Sequence, residues 1–531
     1  MKKIGKYLLV LTSIVSLCAC SASQQTVETI NETLKDSAAV RDKQVSLKGN
    51  GEDSVTVMVY MNGSNLESEE GEATADLTEM VKAGSSDNVN VVVQTMGTKQ
   101  WQKYDIASNR SQIYEVDGNG LTLVKDDLGQ LDCTDSSSLS SFISWASEEY
   151  PANRNILIFW DHGAGPVYGF GYDEYNTEGY LTTDEIQSAL KEAGTYFDFI
   201  GMDCCIMSSI EVCCALYDYC DYTILSEDFE SGIGWYYTDW LKELYDNSSI
   251  ETPTLAKTII DTMVEENETD SDGDSAILSL MDESMMKVLF TAWTDFAYAN
   301  EDSLLDNNYS QQTEVPQGGK VDPRYGGSFE DTFSDWLSDD STTLDEYYVT
   351  DIMAVAQNID SDESNALSSA LAQAIVYTNC TSSDSYLTGL SVTLPYGDSD
   401  YYNDLKKVFT NLGFDSTYIT WLEKFVSSSN SSSYYDYDNW SDSWSGWDDY
   451  DDDYNWDDWY GMEEDYDDFW QDDYWSASGF GPSSSYSSGY SMNDYYDDYD
   501  YYDMYEDEDD YYSDHNGNYY WYEGPDFGPR H

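Results

Sequence analysis

Histidine is almost missing from this chain of 531 residues, which holds only His162, His515 and His531. Two of them lie in a low-complexity C-terminal stretch, so imidazole chemistry in a folded part rests on His162, and a zinc site built from two or three histidines is nearly excluded by count. Cations are also scarce. Lys and Arg number 23 against 103 Asp and Glu, a formal net charge of -80, which argues against nucleic acid because phosphate binding needs clustered cations. Basic peptides and metal cations are the partners that such a field attracts. The nine cysteines include no paired CxxC spacing. Cys133, Cys213, Cys214, Cys220 and Cys380 therefore show no metal-ligand pattern, packing is the default for Cys213 and Cys214, and any disulfides cannot be paired from sequence.

Long apolar runs are missing too. Tyr7 to Val15 is too short to span a bilayer, but it follows the basic Met1-Lys2-Lys3 and precedes Leu17-Cys18-Ala19-Cys20, which reads as an export signal over residues 1–20. The closing cysteine resembles the end of a bacterial lipobox, with Cys18 at an atypical place. That resemblance implies diacylation of Cys20 and a lipid anchor on the outer side of the bacterial cell membrane; an ordinary secretory signal cut nearby is the alternative. Residues 21–50 are polar, as a linker between membrane and domain should be.

From Val55 onward the sequence alternates apolar strand patterns with helical ones, the mark of an α/β fold with a mostly parallel sheet flanked by helices. Expected strands are Val55 to Met61, Val89 to Met96, Asn155 to Trp160, Asp198 to Asp203, Tyr222 to Ser226, Ala276 to Met281 and Tyr386 to Leu394. Helices are expected over Ser138 to Tyr150, Thr182 to Ala193 with a capping box, Ser284 to Ala299, Val349 to Asn358 and Ser364 to Tyr377. Asp117-Gly118-Asn119-Gly120 splits a hairpin expected to lie on the sheet. An acidic loop follows near Asp302 to Gly327. After Val426 the composition turns to Ser, Asp, Tyr and Trp, with Arg530 the only cation. Residues 428–531 read as a disordered acidic tail, because like charge without period cannot form a packed core. A solvated spacer is the plain reading of that tail; cation binding, wall association or occlusion of a site are the functional ones.

Two stretches carry chemistry. His162 leaves an apolar strand in Trp160-Asp161-His162-Gly163-Ala164-Gly165, which suits a general base beside glycines that let backbone N–H groups reach a substrate. One strand later, Asp198 to Glu211 runs through Asp203-Cys204-Cys205 into a helical pattern. If these strands are parallel neighbours, both exits lie at one sheet edge and an imidazole and a thiol can meet there. Singly, such a histidine is often a satisfied polar residue and such cysteines small fillers. Together, with no rival histidine, they point to a Cys/His dyad.

The runs Val57 to Glu67, Trp160 to Gly163, Gly201 to Met207, Ser226-Glu227 with Gly234-Trp235, and Gly389 to Val392 with Pro395 resemble clostripain-type cysteine peptidases. The resemblance covers about residues 53 to 426, within a peptidase domain placed at 51–427. It implies a caspase-like fold with His162 as base, and maps the nucleophile to Cys205 and a determinant for a basic residue to Asp203. Strand alternation puts Asp203 and Cys205 on one side and turns Cys204 the other way. A carboxylate capping the following helix is the structural alternative for Asp203, and that helix end would favour the Cys205 thiolate.

The implied reaction is acyl transfer, with Gly163 and Cys205 N–H groups as oxyanion donors and no metal needed. The expected protein is thus a surface-exposed endopeptidase cutting protein or peptide substrates after Arg or Lys. The competing class is a non-catalytic surface binding protein that uses the domain as a scaffold beside its acidic tail. Calcium is possible by resemblance, but Asp270 to Asp274 lacks the glycine and terminal glutamate of an EF-hand loop. No Lys or Arg lies between Arg154 and Lys191, so cleavage in the segment after the histidine, frequent in the family, is not expected.

Overall fold

Every residue of the first strand, β1 (Val55–Asn62), is buried. A run with no solvated face suits a strand covered by helices on both sides. In chain order there follow β2 (Val89–Met96), β3 (Gln112–Asp117), β4 (Gly120–Lys125), β5 (Arg154–Trp160), β6 (Phe197–Asp203), β7 (Cys220–Leu225) and β8 (Ile277–Asp282). Last come β9 (Val349–Asp351), β10 (Ile375–Cys380) and β11 (Ser391–Thr393). The computed structural model describes residues 40–428 except 127, 178, 270–275, 306–348, 358, 360, 383, 386 and 396–398. All of these belong to one of the two units into which the chain divides, residues 1–443. The export signal, most of the linker, the Asp270 to Asp274 turn, the loop from 306 to 327 and the acidic tail lie outside the described residues.

Nine strands form one sheet in the order β10-β8-β7-β6-β5-β1-β2-β3-β4. Its centre is parallel: β1 pairs with β2 and β5, β5 with β6, and β6 with β7. The hairpin β3/β4 extends the sheet in its own plane, antiparallel to β2, so it does not lie on the sheet as expected. At the other edge β8 and β10 are antiparallel additions. Strand order reverses between β1, whose next partner is β2, and β5, which leads on to β6. That is a topological switch point, where side chains beyond the carboxyl ends of the strands line a crevice.

Two core layers cover the faces. Val57, Val59, Ile156, Ile158 and Phe199 lie in one, and Met58, Tyr60, Leu157, Phe159 and Ile200 in the other, as a period of two requires. The helix Thr183–Ala193 keeps its capping box through Thr182 and Glu185. Other expectations fail for local reasons. The helix read through to Tyr377 ends at Ala374, where the β-branched pair Ile375-Val376 opens edge strand β10. Val349–Asp351 is a strand before its helix, and Ser391–Thr393 pairs with it in a separate two-stranded sheet rather than joining the main one.

Part of the segment read as linker is ordered against the domain. The Arg41 guanidinium lies over the Tyr217 ring and donates to the Cys220 carbonyl at 2.7 Å, while the Gln44 and Val45 N–H groups donate to Asp221. Lys43 pairs with Asp282 at 3.0 Å. These partners stand where β7 begins and antiparallel β8 ends, the edge opposite the switch-point crevice. Among the described residues no helix is long and apolar enough to cross a membrane.

Candidate active site

Trp160 of β5 and Asp203 of β6 are register partners, so His162 and Cys205 each stand two residues beyond one rung of the sheet. The two turns touch. A Cβ added to Gly163 would stand 2.0 Å from the Cys205 carbonyl oxygen, a distance only glycine permits. Burial, at 7% exposure for His162 and 5% for Cys205, acts on both. It lowers the imidazole to about 4 and raises the thiol to about 12, because the charged form of each loses its water. Each group therefore rests neutral, the imidazole unprotonated and the thiol protonated.

The helix expected after the cysteines starts later than its pattern suggests. It spans Ile210–Leu216, capped by Ser209, and Cys205 lies in the turn before it, followed by Ile206 at φ +59°. The thiol therefore has no helix N-terminus at its side. Its polar partner comes from another loop: the Glu230 N–H donates to Cys205 Sγ at 3.3 Å. Cys204 packs in the core layer of Ile200 and Met202, whereas Cys205 packs with Ala164, Ile206 and Val349.

Asp203 does not cap a helix. Its carboxylate accepts from the Tyr237 hydroxyl at 2.7 Å and the Trp235 N–H at 3.2 Å. Gly201 on the same face admits the Trp235 ring, since a Cβ there would lie 2.5 Å from it. The Asp203 and Glu230 side chains are hydrogen-bonded to each other, and burial holds Asp203 up at about 7 and Glu230 well above the usual carboxyl range. Asp76 enters from the helix Glu72–Ala83, is held well above the usual carboxyl range by burial and by the nearby Asp203, and accepts from Trp160 Nε1 at 2.6 Å. Among the described residues no Lys or Arg forms an ion pair with Asp76, Asp203 or Glu230.

A model of the clostripain family matches residues 59–470 of this sequence. The chain belongs to the clostripain family. Like other members it is a cysteine-type peptidase, with the caspase-like sheet and flanking helices expected from its motifs. Among solved structures it resembles a secreted C11 cysteine protease from Bacteroides thetaiotaomicron in complex with an irreversible peptide inhibitor, at 19% identity and TM-score 0.50, covering 68% of this chain and all of that one. It also resembles an inactive zymogen C11 protease from Parabacteroides distasonis, at 17% identity and TM-score 0.50, covering 68% and 98%. No curated protein sequence matches the chain.

Sequence reasoning missed three residues that the fold brings to this clostripain-family site. Asp76 reaches it from a crossover helix and Glu230 from the loop after β7, neither with a spacing that signals chemistry. Asn65 was visible in Asn62-Gly63-Ser64-Asn65-Leu66-Glu67, but nothing local shows that its Oδ1 meets His162 Nε2 at 2.9 Å. For the calcium that the resemblance allows, no group of three or more His, Cys, Asp or Glu placed to hold a metal ion is found among the described residues.

Proposed function

We propose that this peptidase is an endopeptidase cutting after Arg or Lys, with Cys205 as nucleophile and His162 as base. The observation that supports the specificity is the trio Asp76, Asp203 and Glu230, which has no ion-pair partner among the described residues and whose Glu230 N–H meets the thiol. A guanidinium or ammonium seated against these carboxyls would place the following carbonyl over Cys205 Sγ.

As the substrate docks, neutral His162 takes the thiol proton and the thiolate attacks that carbonyl. Gly163 and Cys205 N–H groups hold the developing oxyanion. His162 then protonates the leaving amine, and after its departure takes a proton from the water that cleaves the thioester. Substrates are proteins or peptides with basic residues, attracted by the negative charge of the molecule. We further propose export and lipid anchoring through Cys20, with residues 428–531 as a solvated acidic tail.

The deciding experiment assays the full chain under reducing conditions on fluorogenic peptides ending in Arg, Lys, Gln or Leu, with and without chelator. The expected result is turnover of the Arg and Lys peptides alone, unaffected by chelation and abolished in Cys205→Ala and His162→Ala. Turnover surviving Cys205→Ala would remove the nucleophile assignment, and equal cutting of the Leu peptide would remove the specificity.

A further inference from the structure

We propose that Asn65 is a positioning residue that fixes the tautomer of His162 and makes Nδ1 the proton-transferring atom. The inference rests on the reading of His162 as base. Its first support is the 2.9 Å contact of Asn65 Oδ1 with His162 Nε2. A carboxamide oxygen only accepts, so Nε2 carries the hydrogen and the basic lone pair belongs to Nδ1. The same oxygen stabilises the imidazolium that forms when the thiol proton is taken.

The second support is what the Asn65 side chain does not do. Asn65 stands at the N-cap of the short helical turn Leu66–Glu70, where an asparagine ordinarily accepts from a backbone N–H, yet it makes no capping bond. The turn around it is held in a costly form. Ser64 sits at φ +46°, unusual without glycine. Buried Glu67 pins the far side by accepting from Thr74 N–H and Oγ1–H and from Gln102 N–H at 2.5 to 2.7 Å. Gly63 N–H donates to the Met96 carbonyl at 2.8 Å. A strained loop, locked on both sides and aimed at the imidazole rather than at its own helix, has the form of a positioning device.

The placement is also economical in topology. Asn65 follows β1 and His162 follows β5, so their hydrogen bond crosses the switch-point crevice from the side opposite Cys205. In strand order, the turn bearing His162 thus stands between the turn bearing Asn65 and the turn bearing Cys205.

The test uses the full chain with Asn65→Ala and Asn65→Asp beside His162→Ala, assayed on the best peptide of the panel and on labelled casein. Asn65→Ala should lower kcat roughly 10- to 100-fold with KM within about twofold, and move the acidic limb of the kcat/KM profile to lower pH. Asn65→Asp should recover much of kcat and move that limb up by about one unit, since a carboxylate favours the imidazolium. The 15N imidazole spectrum, with His162 identified by its loss in His162→Ala, should show the Nε2–H tautomer in the parent and a mixture in Asn65→Ala.

Unchanged kcat and limbs in Asn65→Ala would overturn the proposal while leaving Cys205 and His162 in place. Equal losses in both variants with both limbs at parental values would reduce Asn65 to a structural role. If Asn65→Ala fails to fold, the limb of Asn65→Asp and the parent's tautomer decide. Full activity of His162→Ala would remove the reading of the base, and this proposal with it.

Discussion

At the residue scale, the proposed specificity rests on Asp203, whose protonation can be followed. Asp203, held up at about 7 by burial, shares its hydrogen bond with Glu230, so near neutrality one proton resides on the pair. A basic side chain entering the site competes with that proton. KM for an Arg or Lys peptide should therefore fall as pH rises from about 5 to 8, whereas inactivation by a small uncharged alkylating agent should not follow that curve. Asp203→Asn should cost about 100-fold or more in kcat/KM on basic peptides, the scale of a buried charged partner lost, and Glu230→Gln less. A pH-independent KM would sink the shared-proton account. Asp203 was named from sequence because the family resemblance maps a determinant there, and strand alternation sets it on the side of Cys205. Glu230 and Asp76 were not, because a loop and a helix deliver them from distant positions and only the folded chain shows the destination.

Among the elements, the central strands were readable because burial on both faces leaves an unbroken apolar run. Reading failed at the edges. Strand β10 is only half buried along most of its length and continues the apolar pattern of the preceding helix, so nothing marks the change until Ile375. The separate pairing of β9 with β11 depends on a contact across roughly forty residues, invisible to any local period. The start of the helix after Cys205 was misplaced for a related reason: the pattern runs on from Asp203-Cys204-Cys205 without a break, whereas the helix waits for the Ser209 cap. At this scale the most exacting requirement is the contact of the turns after β5 and β6. Gly163→Ala should abolish turnover and lower Tm by several degrees, since a Cβ cannot occupy a point 2.0 Å from the Cys205 carbonyl oxygen. A variant with parental kcat and Tm would show that these turns are not tightly coupled.

Taken whole, the molecule carries more buried acid than its folding alone would favour. Burial holds Asp161 and Glu283 up at about 8, and Asp203 and Glu211 at about 7. The folded chain thus keeps protons that the unfolded chain releases above about pH 4, so stability falls as pH rises through the window from about 4 to 8. Tm should be roughly 5 °C or more lower at pH 8 than at pH 5. The difference should persist in about 0.5 M salt, which screens exposed charge but not buried groups; a Tm that climbs over this range would refute it. The strap at Arg41 to Val45 bears on geography rather than stability. It brings the chain into the domain at the edge where β7 begins, and the cutting site opens at the far edge, a strand length of roughly 20 Å away. Whatever precedes Arg41 in the chain thus joins the domain at its back, and a substrate can enter the cleft without passing the strap.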